Sequence, residues 1–351
     1  MSFPCIKINL RKISNNARLI NDRCALKGIS VVAVTKSILA DIDIVKTLRK
    51  SGISIFGDSR LDNLIKLRKY FGYGQELILL RTPMISECEK MVEICDTSMQ
   101  TELSVIKTIH DICERKNKKH NIVLMIEMDD KREGISAKQV IPFFDEISRK
   151  YPRIKIKGLA TNARCISKRR PRIKSIETLI EIKNRIALKY GYVIPVISGG
   201  NSSIWKYIED GSIPEGVTEV RIGEAIFIGN ETSAYEKIKG AFDDSFLLEA
   251  EIIETKRKNN FVYKIIIALG VQDVPYKHLI IQNPYYDIIA QSSDHTILGL
   301  KKIYLERLVK NKTDGLILPE PKTGDRIIFN LDYFGLMFSM TSPFIKKFYI
   351  K

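Results

Sequence analysis

No two cysteines of this 351-residue sequence are spaced C-x-x-C, and its six cysteines (Cys5, Cys24, Cys88, Cys95, Cys113, Cys165) lie apart from four dispersed histidines (His110, His120, His278, His295). That scatter offers no zinc site and no disulfide framework, so no metal is expected and the thiols read as inert and reduced, in a cytoplasmic chain. No segment reaches the roughly 18 consecutive apolar residues of a membrane span. The opening MSFPCIKINLRK lacks an apolar run between a basic head and a small-residue cleavage site, so neither a signal peptide nor a membrane partner is expected. Acidic residues are in deficit, 41 against 57 Lys and Arg, for a formal charge of +16. Such an excess can mark a nucleic-acid surface. The densest basic clusters, Arg115–Lys119 and Lys168–Lys174, are not interleaved with aromatics. A solvated surface with a few anion sites explains them better, and no nucleic-acid partner is expected.

What is present is ordinary for a globular chain, 44% hydrophobic and 28% charged residues. Short apolar runs alternate with amphipathic stretches: Val31–Thr35, Ile53–Phe56, Glu76–Leu80, Val92–Cys95, Ile122–Glu127, Ile156–Ala160, Val193–Ser198 and Glu219–Ile222. Between them, Ile13, Ala17, Leu19 and Ile20, then Ile44, Val45 and Leu48, then Leu61, Leu64 and Leu67 fall at helical spacing. Glu102–Glu114, Ala137–Lys150 and Ser175–Lys189 continue the alternation. Eight strands with intervening helices predict an α/β fold, a (β/α)8 TIM barrel, and the continuous apolar strands suit a sheet covered on both faces. The rival, an open doubly wound sheet, would usually carry G-x-G-x-x-G after its first strand, and nothing after Val31–Thr35 resembles it. Past Asn230 the pattern becomes Phe246–Thr255, Phe261–Leu269, His278–Ile281, Tyr286–Ala290, His295–Leu300 and Asp325–Asn330, short strands separated by turns. The expected domains are a barrel over 9–235 and a C-terminal β-rich domain over 236–351 joined by 1–8.

In a barrel, residues just past the strand C-termini face the active-site mouth. Lys36 sits there, directly after Val31–Thr35. A lysine at an apolar barrel mouth loses its proton more readily than in water, and a neutral amine is the nucleophile that forms a Schiff base. Ser198-Gly199-Gly200-Asn201-Ser202-Ser203 follows the seventh strand and Arg221-Ile222-Gly223-Glu224 straddles the eighth strand's end, the two places where barrels commonly bind phosphate. Either alone could be a plain turn. Arg132, in a charged run after the fifth strand, could bind a carboxylate or phenolate, or simply be solvated. Asn162 could orient a ligand or cap a turn.

Taken together, VAVTKS, GDSRLDNL, REGI, GLATN, SGGNSS, VRIGEAI, SSDH and MTSPF occur in the order of the fold-type-III pyridoxal-phosphate enzymes. The chain resembles alanine racemase and, more closely, the ornithine and amino-acid racemase branch, over nearly its whole length. The resemblance implies pyridoxal 5'-phosphate as cofactor, Lys36 as its attachment point and one catalytic base, and Arg221 at the pyridine nitrogen. An arginine there leaves that nitrogen unprotonated, which favours reversible proton transfer over deeper chemistry. By the same resemblance Ser202, Ser203, Gly223, Glu224 and Tyr333 contact the phosphate, Arg132 lies near the phenolic oxygen, and Asn162 occupies the place of a ring-stacking histidine. It also implies a head-to-tail homodimer in which each barrel mouth is completed by the partner's β domain. The activity implied is interconversion of L- and D-amino acids through an external aldimine, with ornithine or another basic amino acid as substrate.

Two family tyrosines are missing: the position four residues after the lysine is Ala40, and the stretch expected to supply the opposite-face base reads Ala268-Leu269-Gly270-Val271-Gln272-Asp273. Asp273, Asp294 or His295 are the candidates to replace the second. A lyase or decarboxylase of the same fold would generally need a C-terminal cysteine, and none follows Cys165. A non-catalytic cofactor carrier would end after the barrel, whereas this chain continues well past Asn230.

Overall fold

A computed structural model of the chain describes residues 2–167, 169–259, 262–301 and 320–351. Two sequence expectations touch positions outside these, Lys168 in the basic cluster and Phe261 at the start of a strand. The described residues form two compact units. One comprises 13–36 and 40–242; the other comprises the first 12 residues, 37–39 and 243–351. Residues 236–242 thus group with the barrel and 9–12 with the C-terminal unit.

The first unit is a closed parallel barrel. Its strands, counting a preceding strand β1 (Cys5–Asn9) of the other unit, are β2 (Ser30–Val34), β3 (Ile55–Asp58), β4 (Glu76–Leu79), β5 (Thr97–Gln100) and β6 (His120–Glu127). They are followed by a two-residue edge piece β7 (Ile135–Ser136) beside β6, then β8 (Ile154–Ala160), β9 (Val196–Ser198) and β10 (Glu219–Ile222). β10 pairs with β2 through Ile222 and Ala33, and β5 with β6 through Gln100 and Leu124, so the ring has no open edge. Eight barrel strands, the expected number, are therefore present, with helices between them. Ile13, Ala17 and Ile20 are buried on α1 (Leu10–Ala25), Ile44, Val45 and Leu48 on α2 (Ile42–Lys50), and Leu61, Leu64 and Leu67 on α3 (Leu61–Phe71).

One strand lies elsewhere than expected. Val92–Cys95 is not a strand: Val92 belongs to helix α4 (Cys88–Ile94), which buries Met91, Val92 and Ile94. The fourth barrel strand is the polar tetrapeptide Thr97-Ser98-Met99-Gln100, buried throughout. Its polar atoms are satisfied partly from the neighbouring strand: Ser98 Oγ hydrogen-bonds His120 Nε2 of β6 at 2.9 Å, and within the strand Gln100 donates to Ser98 Oγ at 2.8 Å. A four-residue apolar run cannot by itself separate strand from buried helix.

His120 opens β6 at the barrel's N-terminal end, which is the stabilising end rather than the active one. Burial lowers its pKa from the ordinary 6.5 to about 4. The unfolded chain therefore takes up a proton that the fold refuses between those values. Stability is expected to fall by about 3 kcal/mol on acidification from pH 7 to 4 on this account. Urea titrations of the wild type and His120→Asn should show that share of the pH dependence gone in the variant.

The second unit is an antiparallel sheet ordered β13 (Leu279–Ile281), β16 (Arg326–Leu331), β11 (Phe246–Asn259), β12 (Val262–Ile267), β15 (Thr296–Leu300) and β14 (Tyr286–Gln291). β1 pairs antiparallel with β11 and parallel with β17 (Lys346–Ile350), which ties the N-terminal strand to this unit. A helix over Tyr333–Thr341 precedes β17, its first turn capped by Asp332, whose carboxylate accepts from the Gly335 amide at 2.7 Å. Among the described residues no helix is long and apolar enough to cross a membrane.

Candidate active site

Parallel pairing brings the C-terminal ends of the barrel strands to one rim, and the sequence candidates of the first unit collect there. Lys36 follows β2 and opens a single helical turn, half-buried. The turn closes by a hydrogen bond from the Ala40 amide to the Thr35 carbonyl at 3.1 Å, with Ala40 buried in left-handed backbone at φ 46°.

The loop after β9 is ordered by Asn201, whose Oδ1 accepts from the Ser203 amide at 2.9 Å. Ser202 Oγ accepts from the Ala225 amide at 3.2 Å, which leaves its own hydrogen to donate. Ser203 Oγ and Thr161 Oγ1 are buried and have no hydrogen-bond partner among the described residues. Buried hydroxyls in that condition are costly unless a ligand satisfies them. Gly223 links β10 to the short helix α9 (Glu224–Ile228; α5 to α8 being Leu103–Arg115, Val140–Lys150, Ile173–Tyr190 and Trp205–Glu209). A Cβ there would lie 3.0 Å from the Val34 carbonyl oxygen and 3.2 Å from Val34 Cβ, two residues before Lys36. Gly223→Ala is expected to cost about 1–3 kcal/mol by prising the ends of β10 and β2 apart. A denaturation midpoint equal to the wild type's would show that the rim yields freely.

Arg221 lies on β10 with its guanidinium inside the barrel. It donates to Ser198 Oγ and to the Ser198 and Thr161 carbonyls. Ser198 Oγ in turn donates to Glu219 Oε1 at 2.6 Å. Burial pushes the Glu219 carboxyl up and the Arg221 guanidinium down, each opposed by the other's charge. The arginine starts so high that it stays charged.

Asn162 is pinned to the serine loop, accepting from Asn201 Nδ2 at 2.9 Å and donating to Cys165 Sγ at 2.9 Å. Arg132 is half-exposed in a two-pronged ion pair with Glu133, which raises its pKa. Its loop is anchored by Asp130, whose carboxylate accepts the Cys165, Ile166 and Ser167 amides at 2.9–3.2 Å.

Lys36, Arg132, Asn162, Ser202, Ser203, Arg221, Gly223 and Glu224 thus occupy the ends of β2, β6, β8, β9 and β10. The other four candidates, Tyr333, Asp273, Asp294 and His295, lie in the C-terminal unit. Tyr333 is half-buried at the start of its helix, edge-on to Phe334 with ring centroids 6.0 Å apart. Asp273 is buried, its carboxylate accepting the Gly270 amide at 3.2 Å and the Ser342 hydroxyl at 3.1 Å. His295 is half-buried and paired with the exposed Asp294 at 2.9 Å. Three rim residues went unassigned in the sequence: Asp58, Ser198 and Asn201. Asp58 is the most notable, because it ends β3 beside Thr35, the residue that follows β2.

Residues 8–231 match the family described as alanine racemase, N-terminal domain. The chain belongs to this family. It is 33% identical to the lysine racemase of Thermotoga maritima, with 99% of each protein covered. It is 31% identical to the ornithine racemase of Acetoanaerobium sticklandii, over 98% of this chain and 99% of that one. In fold it is similar to an alanine racemase from Clostridium difficile 630 in complex with cycloserine (TM-score 0.75, 15% identity, 100% and 96% coverage). It is likewise similar to D-threonine aldolase from Filomicrobium marinum (TM-score 0.76, 11% identity, 97% and 89% coverage). At those identities the family's solved structures speak to architecture alone.

Proposed function

We propose that this chain is a pyridoxal-phosphate-dependent racemase of a basic amino acid, lysine or ornithine. The observation that carries the reading is the convergence on one barrel rim of a lysine amine, two serine hydroxyls with hydrogens to donate, and a buried arginine held by Ser198 and Thr161. These residues fit the cofactor. Lys36 would hold it covalently, Ser202, Ser203 and the amides of Gly223 and Glu224 would hold its phosphate, and Arg221 would face its ring nitrogen. Asn162 and Arg132 would line its remaining edges.

Bound there, pyridoxal phosphate supplies the electron withdrawal that acidifies the substrate's α-hydrogen. Lys36 Nζ takes that proton, or returns it, on one face of the α-carbon. Arg221 keeps its charge and its hydrogen bonds to Ser198 and Thr161, so it presents a donor rather than a transferable proton. The second proton carrier is proposed to come from another copy of the chain, in a head-to-tail dimer. His295 suits the task better than Asp273: it is only half-buried and is hydrogen-bonded to a carboxylate that can orient it, whereas both oxygens of the buried Asp273 already accept internal bonds. The preference for a basic substrate draws on the two relatives, named for lysine and ornithine.

Protein supplied with pyridoxal phosphate is incubated with L-lysine, L-ornithine and L-alanine separately in deuterated water. Chiral chromatography should show D-lysine or D-ornithine forming with deuterium at the α-carbon, and alanine at least about tenfold slower. If no amino acid epimerises or exchanges, the racemase reading is wrong.

A further inference from the structure

We propose that Asp58 is a positioning residue for Lys36, a buried carboxylate that locks the Thr35–Lys36 step in place and keeps a negative charge near the lysine amine. This rests on reading Lys36 as the cofactor lysine. The geometry begins with strand register: Val34 pairs with Gly57 across β2 and β3, so the residues that follow them in the chain, Thr35 and Asp58, are neighbours at the rim. Asp58 is fully buried, and its Oδ2 accepts from Thr35 Oγ1 at 2.7 Å and from Asn63 Nδ2 at 3.0 Å. Its Oδ1 accepts from the Arg60 amide at 2.8 Å. The Thr35 amide is held in turn by the Gly57 carbonyl at 2.9 Å.

Three donors and no acceptor are what an ionised carboxylate wants and a protonated one does not. Burial holds the Asp58 carboxyl above the ordinary carboxylate range, against the pull of the Thr35, Arg60 and Asn63 hydrogen bonds and then of the Lys36 charge. A buried charge of this kind is retained only where hydrogen bonds and an opposite charge offset its desolvation. Here one of those bonds comes from the residue directly before Lys36, so rotation of that peptide breaks the carboxylate's shell. Mobility of Lys36 is thereby confined to its side chain.

The test begins with cofactor-free protein, acetylated with limiting acetic anhydride at pH 8, each lysine being quantified by peptide mass spectrometry. Asp58→Asn conserves size and, with its single oxygen in the place of Oδ2, still accepts from Thr35 and Asn63 while removing the charge and the Arg60 bond. Loss of a neighbouring carboxylate favours the neutral amine, so labelling of Lys36 relative to exposed Lys138 should rise about five- to tenfold. An unchanged or lower ratio overturns the electrostatic role. Thr35→Val keeps shape and charge but removes the bridging hydroxyl. It should leave the labelling ratio within about twofold and slow the growth of visible absorbance on adding pyridoxal phosphate by about fivefold or more. Attachment at the wild-type rate overturns the positioning role. Should Asp58→Asn fail to fold, the wild-type ratio decides the charge, since Lys36 labelling far faster than Lys138 is incompatible with a carboxylate near the amine. Borohydride reduction of loaded wild type and peptide mapping stands apart from all of these. No adduct on Lys36 would sink the cofactor assignment, whatever Asp58 does.

Discussion

Lys36→Ala is expected to lower kcat for racemisation by roughly 10³-fold or more and to abolish the visible absorbance of lysine-bound pyridoxal phosphate. The size follows from removing two functions at once: covalent attachment of the cofactor and a positioned proton carrier, the latter alone being worth about 10²–10⁴-fold. The loss should not come from unfolding. Lys36 is half-buried, and the three hydrogen bonds around Asp58 come from Thr35, Arg60 and Asn63, all of which remain. The melting temperature should therefore stay close to the wild type's. Lys36→Arg is the sharper control, because it keeps a cation near Asp58 while a guanidinium stays protonated and cannot form the bond. It should be as inactive as the alanine variant. Racemisation by either variant at more than about one-hundredth of the wild-type rate would mean that another group carries the proton.

The barrel was readable because each of its strands is covered on both faces, and seven of them announce themselves as apolar runs. β5 did not, since Thr97, Ser98 and Gln100 look like a turn until β6 supplies His120 as a partner for Ser98. That contact spans the chain segment holding α5, and no local pattern encodes it. In the C-terminal unit, β17 and the helix over Tyr333–Thr341 were also unforeseen; the helix is apolar on most sides and shows no amphipathic stripe. The site divides along the same line. Lys36, the serine loop and Gly223 were found from position after a strand, which is a local property. The work of Asp58 and Ser198 depends on which residue lies beside them on the neighbouring strand, Thr35 for one and Glu219 and Arg221 for the other. Asp273 shows the reverse. A carboxylate in the stretch that should supply a base is a fair candidate on paper, yet the fold closes a turn with it.

The largest stability effect is expected at Arg221. Arg221→Ala removes the only cation bonded to the Ser198–Glu219 pair among the described residues and strips donors from the Thr161 and Ser198 carbonyls. Breaking a buried ionic arrangement from one side typically costs about 3–5 kcal/mol, because the partner charge stays behind. Equilibrium denaturation of Arg221→Ala, Glu219→Gln and the double variant separates the contributions. If the two groups offset one another's burial, the double variant should be less destabilised than the sum of the single ones by about 1 kcal/mol or more. The pH dependence should carry the same signature. Burial already raises the Glu219 carboxyl, against the Ser198 hydrogen bond and then the Arg221 charge. Without that charge the folded protein holds Glu219 protonated to higher pH than the unfolded chain does. The fold's advantage is then complete at low pH and is lost as pH rises through the elevated value. Arg221→Ala should therefore lose more stability at pH 8 than at pH 5, and Glu219→Gln in the same background should flatten the difference. A deficit independent of pH and additive in the double variant would reduce Arg221 to packing and carbonyl contacts, with no electrostatic bond to Glu219 behind its place in the barrel.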